Sequence, residues 1–286
     1  MKILFISRYC WPHVGGVEKH AERVADSLRQ RGNKVKIISE EDIKYPHIKY
    51  LGLLYIWYWF FKNRDLIARS DLVHCHDVFI WYLPFKFIYP KKRVYLTIHG
   101  GQGKWPIPFK DKLLVKIAAK LSNGTICVGD FIPKYFGIKA NYVIYGGVDN
   151  ENVKYANAKL ANNIIFLGRL EKETGIHEFI NKIKNKKDYK VEFVGDGSLR
   201  NICERHGVVH GFCDPTPFLQ KASICFAGGY LSALEVLNYG CDLWTGADTP
   251  IKKDYWKAFP YRKGDKIPTW DEVGQIYENL YRHYRS

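Results

Sequence analysis

Three short stretches gather the residue types that hold a diphosphate. "FLGRLEKETGIHEF" places Arg169 directly behind an apolar run, Lys172 three residues on, and a helix start near Gly175. "FVGDGSLR" places Gly195, Asp196 and Gly197 behind a second run. "CFAGGYLSALEVLNYG" places Gly228, Gly229 and Tyr230 ahead of an apolar helix with one carboxylate, Glu235. Guanidinium forks and the open amides of a helix N-terminus both favour phosphate oxygens, and glycine lets a ligand approach the backbone. A fourth stretch, "WPHVGGVEKHAERVADSLRQRG", opens a helix with Gly15 and Gly16. Alone it fits a tight strand-to-helix turn equally well, and it lacks the G-x-G-x-x-G spacing of a dinucleotide site.

These loops need strands to present them. Short β-type runs occur at Lys2–Ser7, Lys34–Ser39, Leu72–His76, Arg93–His99, Gly124–Val128 and Tyr142–Ile144, with amphipathic stretches such as Val17–Arg31 and Asp111–Leu121 between them. After the polar bridge "DNENVKYANAKLANN" the pattern restarts at Ile164–Gly168, Lys190–Val194, Val208–His210, Ile224–Ala227 and Asp242–Thr245. Alternating strands and helices mean parallel βαβ units, so two doubly wound domains are expected, residues 1–150 and 151–268. The segment 269–286 reads as one amphipathic helix that packs back on the first domain. In such sheets ligands bind beyond the carboxyl ends of the strands, where the four stretches fall.

Composition narrows the partner. The 286 residues are 47% hydrophobic, enough for two cores, and the formal charge of +15 suits an anionic partner. Nucleic acid is set aside, because the lysines are spread along the chain and not gathered with aromatics in a recognised module. Seven scattered cysteines, mostly inside apolar runs, fit reduced core thiols and a cytoplasmic setting. The first residues lack a small-residue cleavage site and read as a strand, not a signal peptide. The longest apolar run, Leu51–Phe61, is too short to span a bilayer of about 30 Å as a helix.

The stretches above, with "DLVHCHD", "TIHGG", "VIYGGVD" and "HGFCDPTPFLQKASICF" between them, resemble in type and order the family 4 nucleotide-sugar glycosyltransferases, retaining enzymes of GT-B fold. The resemblance runs from Met1 to about Asp248. It implies two Rossmann-like domains, a nucleotide sugar (UDP-, GDP- or ADP-linked) held mainly by the second, and a glycan or lipid-linked acceptor held mainly by the first, with transfer in the cleft between. By position, Arg169 matches the arginine on the diphosphate, Lys172 is placed to assist it, and His99 matches a histidine facing the transferred sugar. Gly15 and Gly16 match a flexible loop beside the phosphates, and Gly195, Gly228, Gly229 and Tyr230 line the donor. Glu235 matches the glutamate that binds the ribose hydroxyls. His13, His76, Gln102 and Trp105 are expected on the acceptor side. No cofactor or essential divalent metal is implied, and the leaving phosphate can take the acceptor's proton. The chain departs from the family at two positions: Ala227 stands where many members have a first glutamate, and Thr174 where they have a lysine.

Two other readings stay open, a nucleotide-sugar epimerase on the same architecture and a non-catalytic binding subunit, the latter suggested by Ala227 and Thr174. Cys203, His206, His210 and Cys213 could in principle hold zinc, but an expected helix, turn and strand would separate them. The aromatic tract Leu51–Phe61 reads first as a core helix. With Lys62, Arg64 and Arg69 beyond it, the tract also suits an anionic membrane surface, which would make the protein peripheral.

Overall fold

The structure, a computed structural model, describes residues 1–10, 15–48, 50–100, 105–149, 160–186 and 188–283. By its contacts the chain divides into two units, Met1–Ile144 with Trp270–Ser286, and Tyr145–Thr269.

The first unit runs β1 (Lys2–Ser7), α1 (Gly16–Gln30), β2 (Lys34–Ile38), α2 (Glu40–Ile43), α3 (Leu51–Lys62), α4 (Asp65–Ala68) and β3 (Leu72–His76). It continues with α5 (Phe79–Ile88), β4 (Arg93–Ile98), α6 (Phe109–Leu121), β5 (Gly124–Val128), α7 (Phe131–Phe136) and β6 (Tyr142–Ile144). The six strands form one parallel sheet in the order β2-β1-β3-β4-β5-β6. β1 and β4 are buried from their second residue onward, because helices cover both faces of such a sheet, so their sequences read as apolar runs without alternation. β3 is as buried, yet it carries His74 and His76.

The second unit runs β7 (Leu160–Leu167), a 3-10 turn (Lys172–Thr174), α8 (Ile176–Ile183), β8 (Lys190–Val194), α9 (Arg200–Cys203) and β9 (Val208–Val209). It continues with α10 (Thr216–Leu219), β10 (Ala222–Ala227), α11 (Tyr230–Asn238), β11 (Asp242–Trp244) and α12 (Pro250–Ala258). Its parallel sheet has the order β11-β10-β7-β8-β9. Alternation along β7 sends Ile164 and Phe166 to one face and Ile165 and Leu167 to the other. The first face meets α8, whose Ile176, Phe179, Ile180 and Ile183 recur at helical spacing. Both domains are thus Rossmann-like α/β layers, the fold class the sequence implies.

The helix α13 (Trp270–His283) closes the first unit. Its buried face, Trp270, Val273, Tyr277, Leu280 and Tyr281, lies along α1, and Gly274 lets the two backbones approach: a Cβ there would overlap the Ser27 hydroxyl.

Two expectations need correction. β7 and β10 begin earlier than their apolar runs, at Leu160 and Ala222, since Asn163 and Ser223 read as turn residues. The Ser223 hydroxyl instead donates to the Asn163 carbonyl at 3.1 Å, beside a register shift between the strands. α3 is not a core helix. It buries Gly52, Ile56 and Phe60 but exposes Leu51, Leu54, Tyr55, Tyr58 and Phe61, because its packing against α5 covers one face only.

The Tyr281 hydroxyl lies 2.7 Å from His74 Nδ1 inside the core. Tyr281→Phe leaves that nitrogen unpaired, so urea unfolding should show a loss of about 1–3 kcal/mol.

Candidate functional site

In the second unit the adjacent strands β10, β7 and β8 end side by side, and each runs into a glycine loop. The loops are stitched together by their backbones: Gly168 N donates to Val194 O at 3.1 Å, Gly228 N to Leu167 O at 3.0 Å, and Leu170 N to Asp196 O at 2.9 Å. Contact is so close that side chains do not fit. A Cβ on Gly195, where φ is +150°, would overlap the Gly168 carbonyl, and one on Gly168, where φ is +143°, would come within 3.3 Å of the Gly228 Cα. Both φ values lie in the region that favours glycine.

Side chains then fix the loops. The Glu171 carboxylate accepts from the Ser198 amide at 2.8 Å and from its hydroxyl at 2.5 Å, and these bonds hold its pKa below the usual value. The Thr174 hydroxyl lies 2.6 Å from the Arg169 carbonyl and 2.7 Å from that of Glu171, sharing one proton between them. Where the resemblance leads one to look for a cationic lysine, the chain thus has a buried clasp on the arginine loop. Arg169 projects from that loop, its side chain 52% exposed and 3.6 Å from the Glu173 carboxylate. Lys172 is exposed on the 3-10 turn that follows. Glu235 is half-buried, one turn and a half into α11. Ala227 ends β10 fully buried, opposite Leu167.

Two amides at the start of α11, those of Gly229 and Tyr230, have partners within the chain. Gly229 N donates to the Ser232 hydroxyl at 3.1 Å, and Tyr230 N to the Tyr255 hydroxyl at 2.5 Å. The Tyr230 and Tyr255 rings stack at 3.6 Å with planes 6° apart, which ties α12 to this turn. Sequence reasoning missed α12. Its signal was Thr249-Pro250, a cap with proline in the first turn, followed by Lys252 and Tyr255 on one helical face.

In the first unit the loops after β1, β3 and β4 carry the remaining candidates. Gly15 caps α1, and the buried Glu18 folds back against it, so that a Cβ at Gly15 would overlap the Glu18 carboxylate. Gly16 begins the helix. His76 Nδ1 lies 3.2 Å from His99 Nε2, and the His20 ring of α1 meets His99 edge-on at 4.9 Å. Behind them runs a buried chain: His20 Nε2 is 3.0 Å from the Tyr277 hydroxyl, which is 2.8 Å from Thr97 Oγ1, which is 2.7 Å from His74 Nε2. Burial pushes His20 down to about 3 and holds His74, His76 and His99 well below the ordinary histidine value, the other histidines adding to the shift of those three. At pH 7 His99 is therefore a neutral imidazole, able to make hydrogen bonds but not to offer a fixed positive charge. Asp77, next after β3, has φ +60° and accepts from the His99 amide at 2.9 Å. This left-handed turn was not foreseen, and strain of this kind gathers at functional sites. Trp105 is 42% exposed and meets the Tyr135 ring edge-on at 5.6 Å. His13 and Gln102 lie outside the described residues.

Among the described residues no group of three or more His, Cys, Asp and Glu could hold a metal ion. Of the four considered for zinc, Cys203 is buried at the end of α9, His210 lies 3.1 Å from the Glu192 carboxylate, and Cys213 is exposed.

Two parallel α/β units of this kind, with glycine loops at the strand ends, define a GT-B glycosyltransferase fold. Solved structures agree. HepE from Anabaena in complex with UDP is 14% identical, covering 100% of this chain and 91% of that one, with a TM-score of 0.64. The catalytic domain of starch synthase IV from Arabidopsis thaliana, bound to ADP and acarbose, is 11% identical, with 98% of each chain covered and a TM-score of 0.62. The UDP-GlcNAc 2-epimerase from Methanocaldococcus jannaschii is 11% identical over 99% of this chain and 100% of that one, with a TM-score of 0.55. At these identities the likeness is one of fold. No curated protein sequence matches. Residues 14–152 match the model of Glycosyltransferase Family 4.

Gly195→Ala forces the second and first loops apart. Calorimetry should show the variant about 1–3 kcal/mol less stable than the wild type.

Proposed function

We propose that the chain transfers a sugar, a hexose by family resemblance, from a nucleoside diphosphate to an acceptor hydroxyl with retention of anomeric configuration. The observation that carries this reading is the set of three glycine loops locked together at the ends of β10, β7 and β8, with Arg169 projecting from the middle one. The bond from the anomeric carbon to the phosphate oxygen breaks, and a bond to the acceptor oxygen forms on the same face. The acceptor's proton passes to the departing phosphate oxygen. Negative charge grows on the diphosphate as the bond breaks, and Arg169 and Lys172 stabilise it more in the transition state than before it. Neutral His99 serves as a hydrogen-bonding group towards the sugar, with His76 fixing its ring. Glu235 accepts from the ribose hydroxyls. No divalent metal is required on this reading.

Thermal-shift measurements with UDP-, GDP-, ADP- and dTDP-sugars test the donor, since a ligand of the folded state raises the melting temperature. One nucleotide class should stabilise the wild type, in EDTA as well, and stabilise Arg169→Ala and Glu235→Ala much less. No shift with any of them would favour a non-catalytic binding subunit. Conversion of the donor without acceptor would favour the epimerase.

The exposed apolar helices support a lipid-linked acceptor and a peripheral setting. Among the described residues no helix is long and apolar enough to cross a membrane. Yet α6 exposes Phe109, Leu113, Leu114 and Ile117 along one face, with Lys110, Lys112, Lys116 and Lys120 beside them and Asp111 as its one acid. α5 packs against both α6 and α3, leaves the other face of α3 exposed, and exposes Phe87 and Ile88 at its end. Apolar side chains fringed by lysines suit an anionic bilayer surface. Co-sedimentation should show binding to phosphatidylglycerol vesicles, weaker with phosphatidylcholine alone and weaker for Phe109→Glu with Leu113→Glu. Equal binding to both vesicle types would remove the idea.

A further inference from the structure

Lys252 stands out among the charged groups because it is only 5% exposed. It rises from α12 beneath the turn at Gly228, and its Nζ donates to the Gly228 carbonyl at 3.2 Å. The ammonium also faces the Tyr255 ring at 4.2 Å and the Trp256 ring at 5.3 Å. Aromatic faces stabilise a cation, but burial of an amine in such a place still works against its charge. The result is an amine pushed down to about 8, first by burial and then by the positive charge of Arg169, with Asp248, Glu173 and Glu178 acting in the opposite sense. These groups come from every element near it: Arg169 from the loop after β7, Glu173 from the 3-10 turn, Glu178 from α8, Asp248 from the loop before α12.

The position has a counterpart. Thr174, where a family lysine would add a second cation, has its hydroxyl committed to the arginine loop, and its Cβ would be 3.2 Å from a Cβ on Gly228. So the turn that lacks a lysine from one side has one from the other.

We propose that Lys252 is a further cation of the donor site, added to Arg169 and Lys172, holding the Gly228 turn and offsetting the charge of a nucleoside diphosphate bound beside Arg169. This rests on the donor reading above. Lys252 acts at the turn from beneath, as a positioning residue whose charge the diphosphate needs.

The sign of the pH dependence follows. An amine titrating near 8 is charged below that pH, and above it a ligand that needs the charge must first restore the proton. Its apparent affinity then weakens by about the inverse of the charged fraction, roughly tenfold by pH 9.

Calorimetric titration of ADP, UDP, GDP and dTDP from pH 7 to 9 tests the idea in the wild type, Lys252→Met and Lys252→Arg. Ionisation of the ligand itself is common to all three. The wild type should lose about tenfold in affinity over this range. Lys252→Met should bind more weakly at pH 7 and show a flat profile, and Lys252→Arg should bind well with a flat profile, since its charge does not titrate. Equal affinity and equal slope in all three would overturn the inference while leaving the donor reading intact. Absence of binding of ADP, UDP, GDP and dTDP alike to the wild type would sink both. Should Lys252→Met fail to fold, as its circular dichroism would show, Lys252→Arg decides: a wild-type slope in that variant overturns the assignment.

Discussion

Much of the second unit depends on backbone packed against backbone at the ends of three neighbouring strands. A side chain at Gly195 would strike the Gly168 carbonyl, one at Gly168 would crowd the Gly228 Cα and one at Gly228 the Thr174 side chain, and hydrogen bonds between the loops hold them there. Everything functional in that unit is referred to this platform. Arg169 leaves it one residue after Gly168, the Glu171 and Thr174 clasps keep its path, and α11 with Glu235 begins just after Gly228. A rigid platform of this kind sets the positions of charged groups better than flexible loops do, which is what a site acting by charge and placement needs.

The first unit achieves order by different means. Its strand ends are crowded with imidazoles, and burial keeps them neutral, so they order one another by hydrogen bonds and ring contacts and not by ion pairs. A neutral network of this sort tolerates a sugar hydroxyl as an added partner and gives no pull on an anion. The lysines of α6 and the arginine of the loop after β7 lie apart from this network in the sequence.

Much of this was legible in the sequence. The strands of both sheets could be read because parallel strands covered on two faces appear as apolar runs, and β3, β5, β6 and β8 fall where those runs lie. The glycine loops were legible for the same reason, as punctuation after each run. What could not be read was long-range: that the Tyr255 hydroxyl would cap the Tyr230 amide, and that Lys252 would turn inward. Those depend on which helix lies over which loop, and a run of lysines and tyrosines reads as a solvated face until the partner is known. α3 misled in the other direction, since periodicity shows that a helix is apolar all round but not how many neighbours it will have.

The placing of α13 has a consequence for the order in which the chain takes shape. The hydroxyls of Tyr277 and Tyr281 partner His20, Thr97 and His74, all of which are made nearly two hundred residues or more earlier. During synthesis, then, the first sheet can assemble its strands but must hold these buried groups without their partners while the whole second unit is being made. Domains generally fold as units, the N-terminal one first; here the first unit waits for the segment beyond the second. The ribosome thus delivers a protein whose earliest domain is its last to be finished.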